Sequence, residues 1–65
     1  MNIIDIAREI EAKESLISEF QVEMAKEEVY SDYIKLGDYQ EQLVELNKEL
    51  EMLMLEWEEL SLELE

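Results

Sequence analysis

Three glutamates, Glu41, Glu45 and Glu49, are spaced four residues apart and are the first candidates for chemistry. On a helix this spacing stacks the carboxylates in one column, and paired carboxylates can bind a metal ion or act as acid and base. The chain offers neither His nor Cys to complete such a site. We therefore interpret the column as a solvated helix face, and we expect no catalytic residue, no metal site and no cofactor.

The three tyrosines, Tyr30, Tyr33 and Tyr39, form a second group with binding chemistry. Aromatic rings can stack on nucleic-acid bases, but proteins that use them in this way also carry a basic groove. Here the nearby Lys35 is flanked by two aspartates. Packing at a turn is therefore favoured over a ligand platform.

The overall charge constrains the partners of the chain, since 19 acidic and 5 basic residues give a net charge of -14 at pH 7. Contacts with phosphate groups require positive charge, so this balance disfavours direct binding of nucleic acid. It favours either a plainly solvated surface or a protein partner with a basic surface. Without Cys and without an apolar run of about 18 residues, the sequence predicts a cytoplasmic protein that does not span a membrane.

Apolar residues recur at alternating spacings of three and four in both halves of the chain, which is the pattern of a coiled-coil seam. The pattern in the second half is apolar throughout, whereas the first half has one polar member, Lys13. The predicted seam consists of Ile3, Ile6, Ile10, Ile17, Phe20, Met24, Tyr39, Leu43, Leu46, Leu50, Leu53, Trp57 and Leu60.

The stretch VYSDYIKL interrupts this pattern and predicts a connection between two helices. Ser31 and Asp32 can cap the second helix, since their side chains accept hydrogen bonds from the N–H groups of its first turn. We predict one domain, residues 1–65, with helix 1 at about 3–26, a connector at about 27–31 and helix 2 at about 32–64. The predicted turn is Tyr30, Ser31, Asp32 and Tyr33, with Tyr30, Tyr33 and Leu36 packed across the closed end.

Two helices joined by a short connector tend to lie antiparallel. A register that pairs Phe20 with Leu43 also pairs Ile6 with Trp57, and it leaves only Leu64 without a seam partner. The predicted fold class is therefore all-α, an antiparallel two-helix coiled-coil hairpin. Because each helix buries only one stripe, we expect the hairpin either to self-associate or to be held by a larger protein.

Lys13 and Trp57 are the two unusual seam residues. Lys13 either sets the register of the helix pair or packs its stem while its amine reaches Glu9, one turn earlier. We interpret Trp57 as a residue that covers the open end of the hairpin near Ile6, rather than as an exposed anchor.

Three apolar residues, Met52, Leu55 and Leu62, lie off the seam on the back of helix 2, with Glu59 between them. Exposed apolar patches often mark partner surfaces. This stripe is a candidate contact with another copy, which would give a homodimer, or with the rest of a larger protein.

The segments EEVYSDYIKLGDYQEQLVELNKEL and LEWEELSLELE resemble the C-terminal coiled-coil domain of the ABC-F ATPases, over roughly residues 10–65. In that family a turn like Val29–Tyr33 joins two helices, and a segment like Trp57–Leu60 lies near the end of the second. Family members are soluble proteins with two nucleotide-binding domains, and they act on ribosomes as translation factors.

The resemblance implies a non-catalytic C-terminal module of an ABC transporter ATP-binding protein, helping the parent protein engage the ribosome or a protein partner. The chain itself lacks the G-x-x-x-x-G-K-[ST] loop that cradles nucleotide phosphates, so ATP binding would belong to the parent. Two alternatives remain open. One is a stand-alone, self-associating coiled coil, and the other is an acidic regulator that mimics nucleic acid.

Overall fold

The computed structural model describes residues 2–64, which contain three helices. Helix α1 runs Ile3–Met24, α2 is the single turn Glu27–Tyr30, and α3 runs Tyr33–Leu64. The molecule measures 49 × 15 × 14 Å, and the 32 residues of α3 account for its length at about 1.5 Å per residue. The predicted fold class, an all-α helical hairpin, is confirmed.

Two contacts between α1 and α3 show that these helices are antiparallel. The Phe20 and Tyr39 rings meet edge to face, with centroids 5.4 Å apart, and Lys13 Nζ lies 2.7 Å from Glu49 Oε2. Lys13 precedes Phe20 in α1, whereas its partner Glu49 follows Tyr39 in α3, so the two helices run in opposite directions. From the sequence we paired Phe20 with Leu43. In the structure Phe20 contacts the ring of Tyr39, which lies one turn nearer the connector.

The core of the hairpin is a thin stripe along the facing sides of the helices. Ile6 is 1% exposed, and Val29 and Leu53 are also buried. Most of the predicted seam is half-buried, because two helices leave one side of each seam residue near water. The half-buried seam residues are Ile3, Ile10, Ile17, Phe20, Met24, Tyr39, Leu43, Leu46, Leu50 and Leu60.

Polar side chains stabilise both ends of α1. Asn2 Oδ1 accepts a hydrogen bond of 2.9 Å from the Asp5 backbone N–H, and Asp5 itself lies in the first turn, near the positive end of the helix dipole. Just after the other end, Lys26 Nζ donates to Glu23 Oε1 at 2.8 Å. This hydrogen bond raises the pKa of the Lys26 ammonium, since it favours the charged form.

Asp32 caps α3, whereas Ser31 bonds back into the connector. Asp32 Oδ1 accepts from the backbone N–H groups of Ile34 and Lys35, each at 3.1 Å. The Ser31 hydroxyl donates instead to the carbonyl oxygen of Glu27, the first residue of α2. Of the two capping candidates in the sequence, Asp32 alone therefore holds the start of α3.

Asp32→Ala should destabilise the hairpin by about 0.5 to 2 kcal/mol, because two N–H groups lose their acceptor. Ser31→Ala is the matched control and should cost less, since its hydroxyl does not cap α3. Urea unfolding followed by circular dichroism compares the two variants. Equal losses would show that the Asp32 carboxylate does not act as the cap.

Gly37 lies inside α3 and does not have a backbone conformation that requires glycine, since no glycine in residues 2–64 has a positive φ. A Cβ built at this position meets nothing within 4 Å. Gly37→Ala should therefore stabilise the hairpin by about 0.5 to 1 kcal/mol, because alanine loses less conformational freedom on folding. The reverse change at an exposed site of α1, Ala12→Gly, should cost a similar amount. A lower melting temperature for Gly37→Ala would contradict this prediction.

None of the helices in residues 2–64 combines the length and the apolar character needed to span a bilayer.

Candidate protein-interaction surface

Within residues 2–64, the seam carries one ion pair between helices, formed by Lys13 and Glu49. Lys13 Nζ lies 2.7 Å from Glu49 Oε2, with both side chains partly exposed. The amine therefore reaches across to α3, and not along α1 to Glu9 as we considered from the sequence. A polar contact between the two helices favours one register over others, since a shifted register would separate the two charges.

The coupling energy between Lys13 and Glu49 should be about 0.2 to 1 kcal/mol, the usual range for a partly exposed ion pair. A double-mutant cycle with Lys13→Met and Glu49→Gln measures it by thermal unfolding. The matched control is the pair Lys48 and Glu45, which is longer at 3.9 Å and more exposed. Its cycle should give a smaller value, and a larger one would contradict the assigned role of Lys13.

The stripe of Met52, Leu55 and Leu62 lies on the outside of α3, and all three side chains are well exposed. Leu55 also lines a shallow depression with Met54, between the acidic residues Glu51 and Glu58. The stripe is therefore an apolar surface with acidic borders, available for contact with another molecule.

The tyrosines of the turn do not close the end of the hairpin as predicted. Tyr33 is 90% exposed, and Tyr30 is exposed as well. The connector side chain that is buried is instead Val29, which is 5% exposed. The sequence held a signal for this residue, because Val29 precedes Leu36 by one heptad and is in phase with the seam of α3.

Trp57 is 42% exposed, more than any other residue of the predicted seam. Part of the indole therefore remains accessible near the open end of the hairpin, whereas Ile6 is fully enclosed. The side chain of Leu64, the leftover position of the predicted register, lies outside the described part of the structure.

A groove between α1 and α3 combines an apolar floor with the glutamate column. The apolar residues that line it, called its floor below, are Leu16 and Phe20 of α1 and Val44 and Leu46 of α3. The acidic residues that line it, called its rim below, are Glu41, Glu45 and Glu49 of α3. We did not single out Leu16 and Val44 from the sequence, although each lies directly beside a seam position.

A comparison with protein-family models identifies this hairpin. The family described as ABC transporter C-terminal domain matches residues 3–62. The chain belongs to this family. Searches of curated proteins and of solved structures find no significant match.

The match gives the ABC transporter C-terminal domain a clear structural extent. It begins with the first residue of α1 and ends two residues before the end of α3. The matched residues therefore include the connector turn with Val29 and the exposed stripe of α3.

The glutamate column does not form a metal centre in this ABC transporter C-terminal domain. Within residues 2–64, no three acidic side chains are arranged to hold a metal ion. Glu49 is instead paired with Lys13, and Glu45 lies 3.9 Å from Lys48. What the structure offers is surface for contact, in the stripe and in the groove.

Proposed function

We propose that this domain is a non-catalytic interaction module of a soluble, cytoplasmic ABC-F ATP-binding protein, and that it helps the parent protein engage the ribosome or a protein partner. The observation that carries the proposal is the family match over the whole hairpin, residues 3–62. The ABC-F subtype is supported by the turn at Val29–Tyr33 and by the segment Trp57–Leu60, which resemble those of the ABC-F coiled coils.

The shape and the charge of the hairpin support this role. A rod 49 Å long can reach a partner well beyond the body of a parent protein. Its net charge of -14 favours a basic protein surface, such as that of a ribosomal protein, over nucleic acid. Apolar side chains on the outside of α3 supply surface that a partner can bury.

The size of the native product is the first test. An antibody against the hairpin should detect a band several-fold heavier than 7.8 kDa in an extract of the source cells. The full protein, with and without residues 1–65, is then sedimented with ribosomes. We expect the deletion to lower the ribosome-bound fraction while ATP hydrolysis by the parent is retained. A band at the mass of the hairpin itself would exclude the hypothesis that the hairpin belongs to a larger ATPase.

A self-associating coiled coil is the second candidate function, and the exposed stripe favours it. The double variant Leu55→Glu/Leu62→Glu tests this candidate by analytical ultracentrifugation. A dimer that dissociates in the double variant would support self-association. Unchanged sedimentation would exclude self-association through this stripe. The third candidate, an acidic regulator that mimics nucleic acid, rests on the net charge alone.

A further inference from the structure

We propose that the groove between α1 and α3 binds a basic amphipathic helix of a protein partner. The apolar side of that helix would lie on the groove floor, and its Lys or Arg side chains would face the glutamate rim. The inference rests on the proposed function, because it names the class of partner for the interaction module.

The floor of the groove offers apolar surface that a third helix can bury. Leu16 is 38% exposed and Val44 is 53% exposed, and the two side chains come from different helices but line the same groove. The groove holds about 690 Å³, which is room for several side chains. Apolar side chains spaced three and four apart on a partner helix would fill it, as in other helix-in-groove complexes.

The rim supplies the complementary charge. Glu41, Glu45 and Glu49 follow one another at intervals of one helical turn and line the same groove as the apolar floor residues. Glu49 is already paired with Lys13, and Glu45 makes a long contact of 3.9 Å with Lys48, with both side chains exposed. Lys or Arg residues one turn apart on a partner helix match the spacing of Glu41 and Glu45.

The same charges argue against a second copy of this chain as the occupant. Each copy carries a net charge of -14, so two copies repel each other. Of the 5 basic residues, Lys13, Lys26 and Lys48 already lie beside acidic side chains of their own chain. The other two, Arg8 and Lys35, lie on different helices, so residues 2–64 offer no cluster of basic side chains to the rim of a copy.

The test uses the 65-residue chain and two labelled synthetic peptides. One is an amphipathic helix of Leu and Lys, and its companion has Gln in place of every Lys. We expect fluorescence anisotropy to detect binding of the Lys peptide, with the neutral companion at least about tenfold weaker. Equal binding of both peptides would overturn the proposal, because the acidic rim would then play no part.

Charge variants locate the binding to the groove. Glu41→Lys/Glu45→Lys should weaken binding of the Lys peptide by about tenfold or more. Glu11→Lys/Glu14→Lys changes the net charge equally on a different surface of α1, and at physiological salt it should change affinity by less than about twofold. If both double variants weaken peptide binding equally, the attraction is nonspecific and depends only on net charge, and the proposal is overturned. Glu41→Gln/Glu45→Gln provides the same comparison, against Glu11→Gln/Glu14→Gln, if the lysine variants lose helicity.

Apolar variants test the floor independently. Leu16→Ser/Val44→Ser should also weaken peptide binding, whereas Val22→Ser/Ile34→Ser, at exposed positions outside the groove, should leave it unchanged. Circular dichroism checks that each variant keeps its helices. Binding that survives the groove variants would place the peptide elsewhere and overturn the proposal.

The outcomes separate this inference from the proposed function. If the Lys peptide fails to bind but deletion of residues 1–65 still lowers ribosome association, the groove proposal falls and the proposed function stands. If the peptide binds in the groove but the deletion leaves ribosome association unchanged, the groove stands and the ribosomal role falls.

Discussion

Ile6→Ala should destabilise the hairpin by about 2 to 4 kcal/mol, the largest effect expected of any single truncation in this chain. Ile6 is 1% exposed, and it is the most completely buried large side chain in residues 2–64. Its removal loses the free energy of burying the side chain and leaves a cavity that two helices cannot fully close. Because the core is a thin stripe, we expect the variant to lose much of its helicity at 25 °C.

Ile4→Ala is the matched control for this prediction. It makes the same chemical change two residues away on the same helix, at a side chain that is 61% exposed. The control should alter stability by less than about 0.5 kcal/mol, as is usual for surface positions. Thermal unfolding followed at 222 nm compares the two variants. Similar melting temperatures would contradict the assignment of Ile6 to the core.

Val29→Ala should also give a large effect, a loss of about 1 to 2.5 kcal/mol. Val29 is the only buried residue of α2, and its side chain anchors the connector between the two long helices. Truncation there should loosen the closed end, which brings the helices together at low entropic cost. Amide hydrogen exchange should therefore rise first in α2 and in the first turns of α3.

Val22→Ala serves as the control for Val29, because Val22 is also a valine but is exposed on α1. It should leave hydrogen exchange at the connector unchanged. If Val29→Ala unfolds the whole hairpin in a single step, without earlier exchange at the closed end, the connector is not an independently stabilised unit.

The thin core also bears on function. Few side chains are fully buried, whereas several large apolar ones lie exposed on α3 and along the groove. A chain with this distribution gains stability when another molecule covers its exposed apolar surface. Contact with a partner, as proposed above, would therefore also complete the packing of the hairpin.

The heptad spacing was sufficient to predict the two long helices and the hairpin, because an apolar stripe on each helix has to be buried against another one. The spacing gave less information about the closed end. It led us to expect Tyr33 at the packed turn, where the structure places Val29. Val29 is in phase with the α3 seam, but a short connector has no repeat of its own, so a single in-phase residue is a weaker signal than a sustained seam.

The sequence by itself determined the two long helices, the charge and the family of this protein, since these depend on local spacing and composition. Only the tertiary structure decided the partners of individual side chains. It showed that Lys13 forms an ion pair with Glu49. It also showed that Leu16 of α1 and Val44 of α3 line the same groove as the glutamates. The physical reason is that these contacts depend on how two helices are rotated and shifted against each other, and the side chains of both helices settle that geometry together.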